Sequence, residues 1–89
     1  MVHVILTHEV KDFFAWKKVY EEGEPLRTKS GIKMTGVYTS VDNPNQVTLT
    51  GECASAELVY RFMSQPELKA AMQAAGVISA PDMKVLNKV

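Results

Sequence analysis

The chain has 89 residues, ten lysines and arginines against ten aspartates and glutamates, and 46% apolar side chains, enough for one core and too many for disorder. A formal charge of zero leaves no basic patch, so neither nucleic acid nor an anionic membrane surface is expected as a partner. A single cysteine excludes an internal disulfide, no apolar run approaches the ~20 residues of a membrane span, and no leader pattern is visible; a cytoplasmic protein with one domain over residues 1–89 is the expectation.

Val2–Glu9 is a β-branched run without glycine or proline and is expected to be a strand. Alternation sends Val2, Val4, Leu6 and His8 to one face and His3, Ile5, Thr7 and Glu9 to the other. Asp12 is the expected N-cap of a long amphipathic helix reaching Gly31. Phe13, Trp16, Tyr20 and Gly23 fall on one side of that helix, and Arg27 falls between Trp16 and Tyr20 if the phase is kept. Pro25 lacks an amide proton and crowds the preceding turn, so the helix kinks there or restarts with Pro25 near a first-turn position.

Lys33–Thr39 and Val47–Cys53 read as two strands joined by the turn Asp42-Asn43-Pro44-Asn45. Strict alternation puts Met34, Gly36 and Tyr38 on one face of the first and leaves Thr35, Val37 and Thr39 on the other. Gly36 and Gly51 lack side chains, which predicts close approach of a packed helix or a ligand. Ser55 caps a second helix over Ala56–Ser64, with Leu58, Val59, Phe62 and Met63 inward. Ser64-Gln65-Pro66-Glu67, with capping-box spacing, opens a further short helix that Gly76 ends. Met83 and Val85 belong to a last strand after Pro81.

The order is an α+β, ferredoxin-like βαββαβ arrangement with a split second helix: a four-stranded antiparallel sheet with helices on one face. The opposite face is expected to carry Thr, Val and Ile, with Val37 among them. A chain this short buries only roughly 60–65% of its unfolded surface. Closing the bare face against a second copy is the economical remedy, so a homodimer is expected.

Several segments resemble the dimeric α/β-barrel superfamily, and within it small proteins related to antibiotic-biosynthesis monooxygenases and cyclases. They are His8-Glu9-Val10-Lys11-Asp12 leading to Trp16, Arg27 before Gly31, Asp42-Asn43-Pro44, Pro66-Glu67-Leu68 through Met72, and Gly76-Val77 before Pro81. The resemblance covers nearly the whole chain. It implies dimerisation into an α/β barrel and a cofactor-free monooxygenase or cyclase acting on an aromatic or polyketide-like molecule between sheet and helices. Its alternative is a non-catalytic binding or purely structural dimeric module. The haem-degrading branch places tryptophan and an iron-ligating histidine in and after the second helix, and Ser55–Ala75 contains neither.

On that reading His8 is the catalytic residue, handling a proton, while Trp16, Arg27 and Tyr38 bind the substrate. Trp16 and Tyr38 would pack the ligand and Arg27 would offset a phenolate or carboxylate. Each has a plainer reading beside it. His8 could hydrogen-bond the start of the first helix; Trp16, Phe13 and Tyr20 could be ordinary core; Arg27 could snorkel to solvent or pair with Glu24. Tyr38 shares its expected face with Gly36 and would reach the same cavity. Glu52 is expected as a dimer contact rather than a buried acid, and Cys53 as a small core residue. Two histidines, one cysteine and no HxxxH or CxxC spacing give no expectation of a metal, and no cofactor is expected.

Overall fold

The computed structural model describes residues Met1–Val89. β1 (Val2–Glu9) sends Val2, Val4, Leu6 and His8 to the side the helices cover, as its alternation requires. Asp12 then adopts extended backbone, and one carboxylate oxygen accepts from the amides of Phe14 and Ala15 at 3.0 and 3.4 Å. This satisfies two of the orphan donors that open α1 (Phe13–Glu22). The third comes from the neighbouring loop: Asn45 Oδ1 accepts from the Phe13 amide at 3.1 Å, and the Asn45 carbonyl accepts from Val10 at 2.8 Å. One loop residue thus fixes the β1–α1 turn.

The first helical crossover is in two pieces. Gly23 ends α1, and α2 (Glu24–Lys29) restarts with Pro25 in its first turn, where a missing amide proton costs nothing. Gly31 follows with φ 81°, the left-handed conformation that leads the chain into β2 (Lys33–Thr39). The second crossover is split likewise, into α3 (Ala56–Met63), capped by the Ser55 hydroxyl accepting from Leu58, and α4 (Pro66–Ala74). The expected capping box is not made. Gln65, not Ser64, stands at the N-cap without a side-chain bond, and the Ser64 hydroxyl donates back to the Arg61 carbonyl at 3.0 Å. The third-position amide that a cap side chain would serve is taken instead by the Gln65 carbonyl, which accepts from Leu68 at 3.1 Å.

β3 (Gln46–Cys53) and β4 (Asp82–Asn87) complete a fully antiparallel sheet in the order β2-β3-β1-β4. Two buried clusters lie between sheet and helices. Val10, Trp16, Val47 and Ala75 form one; Ile32, Cys53, Val59 and Phe62 form the other. Cys53 belongs to the second as a small core residue, its thiol donating to the Ser55 carbonyl at 3.1 Å.

One departure changes which side chains share a face. The β2–β3 register shifts between Met34 and Gly36, so Thr35 and Gly36 together oppose Thr50. Beyond this bulge every β2 side chain is inverted relative to simple alternation. Val37 pairs with Leu49 on the helix side, and Tyr38 pairs with Thr48 on the outer side. The expectation that Val37 lies on the bare face is therefore corrected. The two glycines are approached by side chains of their own sheet: Met34 Sδ would lie 3.1 Å from a Cβ on Gly51, and the Tyr38 ring 2.6 Å from one on Gly36.

The outer face is also less uniformly apolar than expected. Its centre is Ile5, Thr7, Thr48 and Thr50, with hydroxyl pairs Thr7–Thr48 at 2.9 Å and Thr35–Thr50 at 2.8 Å. Its flanks carry a His3–Glu52 pair at 3.9 Å and a Lys84–Asp82 pair at 3.3 Å.

Pro25 is exposed and already in a conformation a helix start accepts. Pro25→Ala should therefore lower stability by about 0.4–1 kcal/mol, by freeing the unfolded chain, without altering the fold. Urea unfolding followed by circular dichroism checks this; an increase in midpoint would show that Pro25 strains the helix instead.

Candidate functional site

Four side chains from three elements form a ladder beneath the helices. The His8 ring, at the end of β1, meets Trp16 of α1 edge-on, with centroids 5.7 Å apart and planes at 71°. Trp16 stacks on Tyr20 one turn later at 5.0 Å and 21°. The Arg27 guanidinium of α2 then lies over the Tyr20 ring, 4.0 Å from its centroid. The break at Gly23 does not spoil the expected phase, because Arg27 folds back across it: a Cβ on Gly23 would stand 3.0 Å from Arg27 Nη1. Glycine is used here for close approach, since its φ of −82° is open to any residue.

The ladder is one wall of an apolar cavity of about 160 Å³ between sheet and helices, partly open to solvent. Roughly 150 Å³ of apolar space accommodates a benzene-sized ring. Leu6 and Leu49 of the sheet form its floor, and Met63, Leu68 and Met72 of α3 and α4 face the ladder. A second, more polar groove, which also includes Tyr20 and Arg27, is bordered by Glu21, Glu24, Thr28 and Lys33. The Tyr20–Arg27 pair thus stands between the apolar cavity and that groove.

Two buried side-chain nitrogens in the whole chain lack a hydrogen-bond partner, and both belong to this ladder: His8 Nδ1 and Arg27 Nε. Leaving such a group unpaired costs on the order of 1–3 kcal/mol. Two of the plainer readings, helix capping by His8 and an Arg27–Glu24 pair, are not realised. The donors at the start of α1 are occupied by Asp12 and Asn45, so His8 does not cap that helix. Arg27 makes no ion pair with Glu24; its closest structural partner is the Tyr20 ring.

Burial holds the His8 imidazole below its ordinary 6.5, against a smaller upward pull from its own backbone, so the ring is neutral at pH 7 and free to accept a proton. Burial also raises the Tyr20 phenol; Arg27 opposes this and Glu24 adds to it, so the hydroxyl stays protonated. The site pairs a neutral base with a fixed cation across an aromatic stack.

His8, Trp16 and Arg27 are therefore brought together, and Tyr38 is not. Tyr38 lies on the outer face, 57% exposed, outside the cavity lining. The cause is the bulge at Thr35–Gly36, which turns the strand over two residues before the tyrosine. Tyr20 occupies the place proposed for Tyr38. Its sequence signal was its spacing of four from Trp16, which marks equally well a core stripe. No three His, Cys, Asp or Glu side chains converge as a metal-binding group.

No protein-family model matches the chain, and no curated protein matches it either. Solved structures do. A crystal structure of an antibiotic biosynthesis monooxygenase superposes with a TM-score of 0.77 at 13% identity, covering 100% of this chain and 99% of that one. The chain has the fold of the antibiotic-biosynthesis monooxygenases. SnoaB, a cofactor-independent oxygenase from Streptomyces nogalater solved as a point mutant, matches at 0.74 and 13% identity over 98% of this chain and 91% of its own. A NIPSNAP domain protein from Burkholderia xenovorans matches at 0.70 and 13% identity, over 100% and 95%. The likeness is one of backbone, and the fold carries more than one kind of protein. No helix is long and apolar enough to cross a membrane.

His8 binds its proton more weakly in the folded chain than in the unfolded one, so the unfolded state holds more protons between the lowered folded value and 6.5. Stability should be full above about pH 7 and fall as pH drops below 6.5, by up to about 1.4 kcal/mol for each pH unit crossed before His8 protonates in the folded state. Comparing urea midpoints at pH 7 and 5 for wild type and His8→Gln isolates this contribution. An equal loss in both proteins would assign it elsewhere.

Proposed function

We propose that the chain is a small cofactor-free enzyme of the monooxygenase or cyclase type, holding an aromatic or polyketide-like molecule in the cavity between sheet and helices. The observation that carries this reading is the pair of unpartnered nitrogens, His8 Nδ1 and Arg27 Nε, flanking a Trp16–Tyr20 stack in an otherwise apolar space. A ring packed along that stack leaves its hydroxyl within the domain of a neutral imidazole. His8 accepts the phenolic proton; Arg27 balances the negative charge that results; the ring so enriched in electrons is the form that reacts with oxygen. For a benzene-1,4-diol the balance is one O2 consumed, one oxygen entering the ring to give the hydroxybenzoquinone, and the other leaving as water with the two hydrogens lost.

The fold shared with a protein named a cofactor-independent oxygenase supports the class of reaction. His8 and Tyr20 are the cavity's only side chains able to exchange a proton near neutrality or above, which also suits a second reading: a module that binds such a molecule without turning it over. Oxygen uptake with benzene-1,4-diol, corrected for autoxidation and followed with isotopically labelled O2, separates the two. The enzyme reading expects label in the product and a fall of about 100-fold or more in His8→Gln. Saturable binding without incorporation of label would leave the binding module.

The same reading takes the protein as a homodimer closed through the outer sheet face. Ile5, Tyr38 and Leu86 are exposed there, and four threonine hydroxyls are occupied by one another. A bare sheet face with Ile5 and self-paired threonines at its centre, and Tyr38, Leu86 and a Lys84–Asp82 ion pair on its edge strands, has the pattern of a surface between two copies. Ile5→Lys should shift the mass seen by light scattering from dimer to monomer while the circular dichroism spectrum is retained. A wild-type monomer at micromolar concentration would refute the dimer.

A further inference from the structure

The two walls of the cavity differ in kind. One is the ladder, whose rings are locked against each other and end at a guanidinium seated on the Tyr20 ring. The other is soft. Four of the chain's five methionines, Met34, Met63, Met72 and Met83, line the cavity, and none is fully buried. Unbranched thioether side chains with three rotatable bonds repack around shapes that branched aliphatics reject. The polar features are concentrated at the ladder, where Arg27 also borders the outer polar groove.

We infer that the site recognises its ligand by one end only: an anionic head, a carboxylate or phenolate on a flat ring, is selected at Arg27, while the methionine wall accepts apolar tails of varied size. The inference rests on the small-molecule reading of the cavity and adds to it what the ligand must have and what is left free. The unpaired Arg27 Nε supplies the head requirement, because a guanidinium edge in an apolar wall is satisfied more strongly by an anion, which also balances its charge, than by a neutral carbonyl. The 160 Å³ present without ligand would hold one ring; further ring or alkyl is admitted by rotation of Met63 and Met72, which face the ladder from α3 and α4. Discrimination of this kind is strict at the charge and permissive along the chain.

Trp16 is the sole tryptophan, so its indole N–H gives a single NMR cross-peak inside the site. Titrating the full chain with benzoate, 4-butylbenzoate and 2-naphthoate, and with the three matching neutral amides, reads both halves of the inference. The acids should bind at least about tenfold more tightly than their amides, and the larger acids no more weakly than benzoate. Arg27→Gln should bring acid and amide to within about threefold, and Arg27→Lys, which keeps the charge without Nε, should recover only part of the preference. Met63→Ile with Met72→Ile should weaken the two larger acids by about tenfold while benzoate is retained. Equal binding of acids and amides in the wild type, or larger acids bound more than about tenfold weaker than benzoate, would overturn the inference and leave the cavity a small-molecule site. If no compound moves the indole resonance, the small-molecule reading fails and this inference with it.

Discussion

Trp16 packed against the end of the central strands is the contact on which the rest of the molecule hangs. Its indole is 4% exposed and closes a cluster with Val10, Val47 and Ala75, which come from the β1–α1 turn, β3 and the end of α4. Three otherwise separate segments meet on one side chain. In an 89-residue chain with only two small clusters of buried residues, few contacts of that reach are available. The same indole bears His8 on its edge and Tyr20 on its face, so the group that joins sheet to helices also sets the site's geometry. Structure and candidate chemistry are not separable at this residue.

Backbone ties support that arrangement where side chains cannot. The segment after α4 is bound to β1 by Lys11 donating to the Gly76 carbonyl at 2.7 Å and Ile78 donating to the Glu9 carbonyl at 2.9 Å. Gly76 makes this approach with φ 87°, beside Lys11. His8 therefore emerges from a strand end held on both sides, between Asn45 of the hairpin loop and the α4–β4 segment. Such pre-positioning matters for a proton acceptor, whose usefulness depends on a fixed distance to the group it serves.

Most of the architecture was legible in the sequence because it rests on local rules. Asp12 and Ser55 cap helices, Pro25 and Pro66 start them, Gly31 and Gly76 lead the chain away, and the strand alternation of β1 puts His8 inward. The Trp16–Arg27 association was legible as well, since helical phase survives a one-residue break. Tyr38 was not. A bulge adds one residue to one strand and leaves no mark in composition, so simple alternation assigned Tyr38 and Val37 to each other's faces. The emptiness of the capping box has a related origin: spacing proposes the bond, but the helix starts one residue later than Ser64 and the Gln65 carbonyl takes the Leu68 amide. The absent Arg27–Glu24 pair shows a third limit. Sequence spacing allowed a salt bridge one turn apart, whereas an aromatic ring in the interior gave the guanidinium a flatter and drier seat.

The strand order β2-β3-β1-β4 bears on how the molecule comes into being during synthesis. β1 is made first and ends in the middle of the sheet, yet its partners arrive late: Val2 pairs with Cys53 on one side and with Asn87 on the other. The β2–β3 hairpin joins neighbouring segments and can close once β3 has left the ribosome, when β1 gains its first partner too. Until β3 is made, the nascent chain therefore carries an unpaired, largely aliphatic strand, followed by a helix whose aromatic face has nothing yet to cover. Phe13, Trp16 and Tyr20 lie only a few residues downstream of β1 and can shelter Leu6 and His8 before any second strand exists. The aromatic stripe would then act first as a temporary cover for the strand and only afterwards as the wall of a cavity.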